Sequence, residues 1–199
     1  MTRSIIDKTL TTVATLNFAD LVCGVVTPAS QHVMAADGGT VLKIFPIYQN
    51  DPTTCRNGDY ITCIPDDKYR SIIYFEEVGN QLISQDNYCI SMQATVRLIG
   101  WFNLKKISNT LTSDYFLSQL IQTIPDKVAD FDNLFNIYLT FDGIENKSPL
   151  LFSAYTYDEA EQQYLIFPYD YGAQRYTVNY HINKCQSTVS LSPNCGKRP

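Results

Sequence analysis

Residues 88–102 read YCISMQATVRLIGWF, and their alternation decides the fold. Ile90, Met92, Ala94, Val96, Leu98 and Phe102 fall on one side of an extended chain, and Ser91, Gln93, Thr95, Arg97 and Trp101 on the other. A period of two means a strand with one buried face and one face that is solvated or covered by a polar contact. At about 3.4 Å per residue the run spans roughly 50 Å, longer than a usual strand. It is expected to bend at Gly100 or to project beyond the body of the protein. Ser71–Glu76 forms the preceding strand, with a turn at Gly79-Asn80, so the two make a long central hairpin.

Outward from this hairpin, short helices alternate with strands. Residues 5–17 place Ile6, Leu10, Val13 and Asn17 on one helical line, although the threonines make the helix weak. Leu21–Thr27 is a strand stopped by Pro28, and Ala35 to Gly39 carries a turn signal. Val41–Tyr48 is a strand whose Pro46 favours an edge or a bulge. Residues 49–68 read as an irregular loop around one short strand. Phe116, Leu117, Leu120, Ile121 and Ile124 form the best helical stripe, capped at Thr112 or Ser113 and ended by Pro125. Asn133–Phe141 is a strand with Phe135, Ile137, Leu139 and Phe141 on one side, and Leu150–Tyr155 is a further candidate strand. Asp158 with Glu161 opens a short helix to about Leu165. A turn over Pro168–Gly172 leads to a last strand, where Tyr176, Val178, Tyr180 and Ile182 alternate with Arg175, Thr177, Asn179 and His181.

These elements sum to an α+β fold, a mostly antiparallel sheet with two or three short helices packed on one face. Residues 1–185 are expected to form a single domain and 186–199 an irregular C-terminal tail. A chain of 199 residues is long enough to bury about 70% of its unfolded surface without metal or disulfides. Aromatic residues at 13% exclude a mostly disordered protein. A net charge of -5 argues against a phosphate-neutralising nucleic-acid surface.

The chemical vocabulary is sparse. There is no phosphate-binding glycine loop, no nucleophile elbow and no zinc-protease helix in the sequence. His32 and His181 are the only imidazoles; His181 reads as a surface histidine, and His32 lies near Cys23 in sequence, a proximity that does not by itself make a nucleophile pair. Six cysteines without a Cys-x-x-Cys motif read as free thiols, with a Cys55–Cys63 bridge as the alternative. No cofactor or metal is expected. Asp7, Lys8, Asn17 and Asp20 interrupt the N-terminal segment, so no export signal is read there, and no stretch approaches the length of a membrane span. Seven tyrosines crowd the last third, from Tyr155 to Tyr180. They fit a protein interface, a stacking platform for sugars, or ordinary core filling.

Three segments carry a family resemblance: YRSIIYFEEVG at 69–79, ATVRLIGWFNLKKI at 94–107 and QYLIFPYDYGAQRYTV at 163–178. Together they resemble neck and tail-terminator-like ring proteins (head-tail connectors) of tailed bacteriophages, especially crAss-like phages, over roughly residues 5–185. The loop at 49–68 and the tail after Cys185 fall outside it. The resemblance implies a virion structural protein without enzymatic activity, assembled in the host cytoplasm. Its partners would be copies of itself in a cyclic ring, the portal and other neck or tail proteins. Genome DNA would pass through without sequence-specific binding, and no membrane would be involved. The candidate interface residues are Trp101, Tyr157, Tyr164, Tyr169, Asp170, Tyr171 and Arg175. Two alternatives stay open: a carbohydrate- or protein-binding module using the C-terminal tyrosines, and a hydrolase using carboxylates such as Asp66 and Glu76.

Overall fold

The alternating run forms strand β5 (Cys89–Asn103), which lies unbroken at the centre of the sheet. The computed structural model describes residues 1–34, 38–49, 60–108, 110–157 and 159–184. Around β5 the chain sets α1 (Thr2–Val13), β1 (Leu21–Met34), β2 (Thr40–Gln49), β3 (Tyr60–Thr62) and β4 (Ser71–Gln85) before it. After it come α2 (Leu104–Ile107), α3 (Ser113–Thr123), β6 (Lys127–Val128), β7 (Leu134–Glu145), α4 (Glu159–Gln162) and β8 (Tyr169–Asn183). Two 3-10 turns, Pro149–Phe152 and Gln163–Leu165, flank α4. The strand order is β3-β2-β1-β4-β5-β8-β7-β6. Among the described residues only the β1–β4 pairing is parallel. The protein is therefore α+β with a mostly antiparallel eight-stranded sheet and a long central hairpin.

Alternation along β5 and β8 divides the interior into two cores. On one face Ala94, Val96, Leu98 and Phe102 join Tyr176, Val178, Tyr180 and Ile182 under Ile5, Ile6 and Val13 of α1 and Phe116, Leu117 and Leu120 of α3. Each large side chain removed from water there contributes about 1.5–3 kcal/mol. The chain does not bend at Gly100. Gly100 faces Gly172 across the β5–β8 ladder, and the pair opens a hollow that receives Leu117. A Cβ on Gly172 would stand 2.5 Å from Leu117 Cδ1.

The second face has a cover that the sequence pattern did not announce. Tyr74, Ile99, Trp101, Tyr171 and Ala173 are roofed by Leu151 and Phe152, with Tyr157, Tyr164 and Leu165 packed around them. Leu150–Tyr155 is thus not a strand; Pro149–Phe152 is a 3-10 turn, started by Ser148, whose hydroxyl accepts from Leu150 N.

Other expectations shift for identifiable reasons. α1 starts earlier and stops at Val13, and Thr9 and Thr12 return their hydroxyls to carbonyls three residues back. Pro28 does not stop β1. It faces Pro46 of β2, and Pro46 turns its carbonyl to Cys63 N on the far side. The polar edges of a strand residue point the same way, so neither proline removes a β1–β2 ladder bond. Gly79-Asn80 is strand with a register shift, and the hairpin turns at Asp86, whose carboxylate accepts from Tyr88 N and Cys89 N. Phe135 leaves the side of Ile137 and Leu139, because Asn136 adopts φ 50° and the register slips there. The turn into the last strand lies earlier than expected, at Ile166–Tyr169, closed by Tyr169 N donating to Ile166 O at 3.0 Å, and β8 begins at Tyr169. The Ala35–Asp37 part of the early turn, residues 50–59 of the loop at 49–68 including Cys55, Asp158, and the tail from Cys185 lie outside the described residues.

Candidate functional site

Six of the seven candidate interface residues come together near the end of β5 and the start of β8, mostly facing inward, whereas Arg175 lies at mid-strand opposite Arg97. Trp101 has no exposed surface; its indole donates to Tyr164 O at 2.6 Å and its ring stacks on Tyr169. Tyr157 and Tyr171 pack against Phe152. Burial lifts the Tyr157 hydroxyl well above its ordinary range, with Glu76 adding to the shift. Asp170 is buried and accepts from Ser113 N at 2.8 Å, the first turn of α3. It therefore caps a helix 57 residues away in sequence. It also pairs with Lys147. Arg175 alone among the seven is exposed. The apolar and aromatic neighbours of this group explain why the tyrosines are numerous: they roof the second core, and Tyr176 and Tyr180 fill the first.

Between the roofed and unroofed halves of the second face runs a charged seam that sequence reading missed. Glu76 on β4, Arg97 on β5, and Glu145 on β7 come together although they are far apart in sequence. Arg97 Nε lies 2.9 Å from Glu145 and its Nη1 lies 3.4 Å from Glu76. Arg175 donates twice to Glu145 Oε1, from Nε at 3.0 Å and Nη2 at 2.7 Å. Tyr155 donates to Glu76 from the roof. Burial raises the Glu76 carboxyl above its usual range, against the opposing pull of the Tyr155 hydrogen bond and Arg97. A cleft of about 520 Å³ opens beside the seam, lined among others by Asp142, Glu145, Arg97 and Arg175. Both guanidinium groups there are already paired with carboxylates, so the cleft offers no unneutralised cation for an anionic ligand.

Beyond the seam the same face continues as a polar ladder. Gln81 donates to Gln93, and Gln93 to Asn179. Further out His181 Nδ1 sits 2.9 Å from Ser91 Oγ and 3.7 Å from Cys89 Sγ. The histidine that approaches a thiol is thus His181, with Cys89, and not His32 with Cys23. His32 is on the exposed outer part of β1, whereas Cys23 is buried against the region of Cys63. Cys63 is a free thiol, and its hydrogen bond with Cys23, together with burial, pushes it far up. Asp66 accepts from Lys68 N in an exposed turn, while Glu76 is held in the seam, so these two carboxylates do not share a cleft. Among the described residues no group of three metal-ligating side chains exists. No helix among them is long and apolar enough to cross a membrane.

The open surfaces lie elsewhere. β1 leaves β4 after Val26 and continues with β2 as a separate ribbon, held toward the roof by Thr156 N donating to Ile44 O and by Lys43 paired to Glu161. The outer edge of β4 from Glu77 to Gln85 is consequently left without a strand partner among the described residues. All nine residues are exposed, with Val78 at 49% and Leu82 and Ile83 at 55%. From Val78 to Gln85 there is no charge. The β1–β2 ribbon likewise ends in exposed Met34, Val41 and Leu42.

No known protein family, curated protein or solved structure matches the chain.

Proposed function

We propose that the protein is a structural subunit of a ring in the neck or tail of a tailed bacteriophage, lying between portal and tail around the DNA channel. The observation that carries this reading is the exposed edge of β4, uncharged from Val78 to Gln85 and without a strand partner among the described residues. Soluble proteins blunt such edges with charge, proline or cover, because an unpaired edge templates strand addition. An exposed edge that keeps its apolar side chains fits a surface meant for another chain. The apolar end of the β1–β2 ribbon supplies a second, different surface. A cyclic ring needs two unlike patches on each subunit, since its contacts are heterologous. The resemblance of the segments at 69–79, 94–107 and 163–178 to neck and tail-terminator-like rings points the same way. The net charge of -5 suits a conduit that repels phosphate and lets DNA slide.

The alternative of a tyrosine-based sugar platform finds less support, because the rings of Trp101, Tyr157 and Tyr171 are engaged with one another's neighbours inside the chain. Mass photometry and electron microscopy of the purified protein, alone and with its portal and tail proteins, test the reading. Closed rings support it. A monomer that joins no particle overturns it, as does a ring whose lumen is lined mainly by Lys and Arg.

A further inference from the structure

Cys89 and His181 are brought together only by the sheet. In the β5–β8 ladder Ser91 lies opposite His181 and Cys89 opposite Asn183, so Cys89 and His181 are diagonal neighbours on one face. There His181 Nδ1 stands 3.7 Å from Cys89 Sγ, within reach of a sulfur hydrogen bond, and 2.9 Å from Ser91 Oγ. Phe135 of β7 stacks on the imidazole with 5.4 Å between ring centres and holds it in place. Cys89, Ser91 and His181 are all half-buried, beside the turn that joins β4 to β5. Of the described cysteines, Cys23 and Cys63 have no exposed surface, so Cys89 is the one a solute can reach.

A thiol attacks through its thiolate, and a base within hydrogen-bond reach can supply that form. The neighbours decide the substrate. Acyl transfer needs N–H donors at the developing oxyanion. The main-chain donors next to the sulfur, Tyr88 N and Cys89 N, are both spent on the Asp86 carboxylate, at 2.7 and 2.6 Å. Disulfide exchange needs no such donors, because the negative charge leaves on a second sulfur. We propose that Cys89, with His181 as its base, is a thiol–disulfide exchange site that takes low-molecular-weight disulfides. In the tautomer with its proton on Nε2, His181 accepts the Cys89 proton at Nδ1. The electron pair left on Sγ attacks one sulfur of the disulfide, the S–S bond breaks, and the departing thiolate takes the proton from His181. Cys89 is thereby oxidised to a mixed disulfide, and the departing sulfur is reduced to a free thiol. Ser91 Oγ accepts from Nδ1 while the ring carries the proton. The site is independent of the ring reading.

The test exposes the full chain to glutathione disulfide, native and unfolded in urea. Each cysteine is followed separately by peptide mass spectrometry, with rates normalised to a free model thiol in the same solvent. Cys89 is expected to react about tenfold faster in the native protein than in the unfolded chain, the positioned base outweighing the partial burial. Cys23 and Cys63 are expected to stay unmodified until the chain unfolds. His181→Gln, checked for unchanged thermal unfolding, is expected to slow native Cys89 about tenfold and to leave the rates of Cys55, Cys185 and Cys195 as they were. A Cys89 that reacts no faster in the native protein than in the unfolded chain overturns the proposal without recourse to any variant. A folded His181→Gln protein that keeps the wild-type Cys89 rate does so too. Transfer of an acyl group from a small thioester to Cys89 as fast as the disulfide reaction would overturn the substrate class.

Discussion

Arg97 is the residue on which the second face turns. Its guanidinium bridges Glu76 and Glu145, all three mostly buried side chains, at the point where the aromatic roof gives way to the polar ladder. Removing one partner of a buried ion pair leaves the other charges uncompensated. Arg97→Ala is expected to lower stability by about 2–4 kcal/mol in urea titration. A loss under about 0.5 kcal/mol would show the seam to be solvated instead. The pH dependence follows from Glu76. Its folded carboxyl titrates above its unfolded value, because burial outweighs Tyr155 and Arg97. The folded state therefore holds that proton to higher pH than the unfolded state. Its stabilising contribution is complete below the unfolded value and is lost as pH rises through the raised one. Glu76→Gln is expected to remove this decline, so the stability difference between wild type and variant should change steadily over the interval just above the ordinary glutamate range. A difference that is flat with pH would refute the assignment. Asp170 offers a second residue-scale check. Asp170→Ala is expected to cost about 1–2 kcal/mol through the lost cap on α3, and Asp170→Asn less, since an amide oxygen still accepts from Ser113 N. Equal losses in the two variants would mean that the Lys147 pair, not the cap, carries the effect.

At the scale of elements, α3 sits where two glycines allow it. Its apolar stripe was largely legible in the sequence, since Phe116, Leu117, Leu120 and Ile124 reach the core, while Ile121, read as part of the stripe, is only half-buried. What it lands on was not, because Gly100 and Gly172 are 72 positions apart and become neighbours only through the β5–β8 register. Gly172→Ala is expected to cost about 1–3 kcal/mol by forcing Leu117 upward. Combined with Leu117→Ala, the loss should fall short of the sum of the single losses, because the new methyl occupies the space that Leu117 vacates. Strict additivity in thermal or urea unfolding would exclude the contact. The strands show the same division. The two-residue period placed the faces of β5 and β8 correctly, yet failed at Phe135, where one positive-φ residue, Asn136, reverses the parity. Glycine and asparagine at 79–80 suggested a turn, but the pairing partners in β5 continue past them and keep the chain extended.

For the whole molecule, stability and assembly should separate. Val78 and Leu82 are exposed on the β4 edge and contribute little to the cores. Val78→Ser with Leu82→Ser is expected to leave unfolding within about 0.5 kcal/mol of wild type. The same pair should reduce ring formation in mass photometry. Retained rings would move the interface elsewhere, to the β1–β2 ribbon or the exposed side of α3.

The sequence by itself determined the class of the fold: one long alternating hairpin, an amphipathic helix and a second alternating strand suffice for a sheet with helices on one face, because side-chain period is a local property of backbone geometry. It also showed the tyrosine excess and the poverty of catalytic motifs. Only the tertiary structure decided where that excess goes. Trp101, Tyr157 and Tyr171 turn inward under a roof of 3-10 turns, Asp170 caps a distant helix, and the exposed apolar surface falls instead on the edge of β4. Edges, caps and charged seams depend on which strands become neighbours, and strand neighbours are chosen by contacts far apart in the chain.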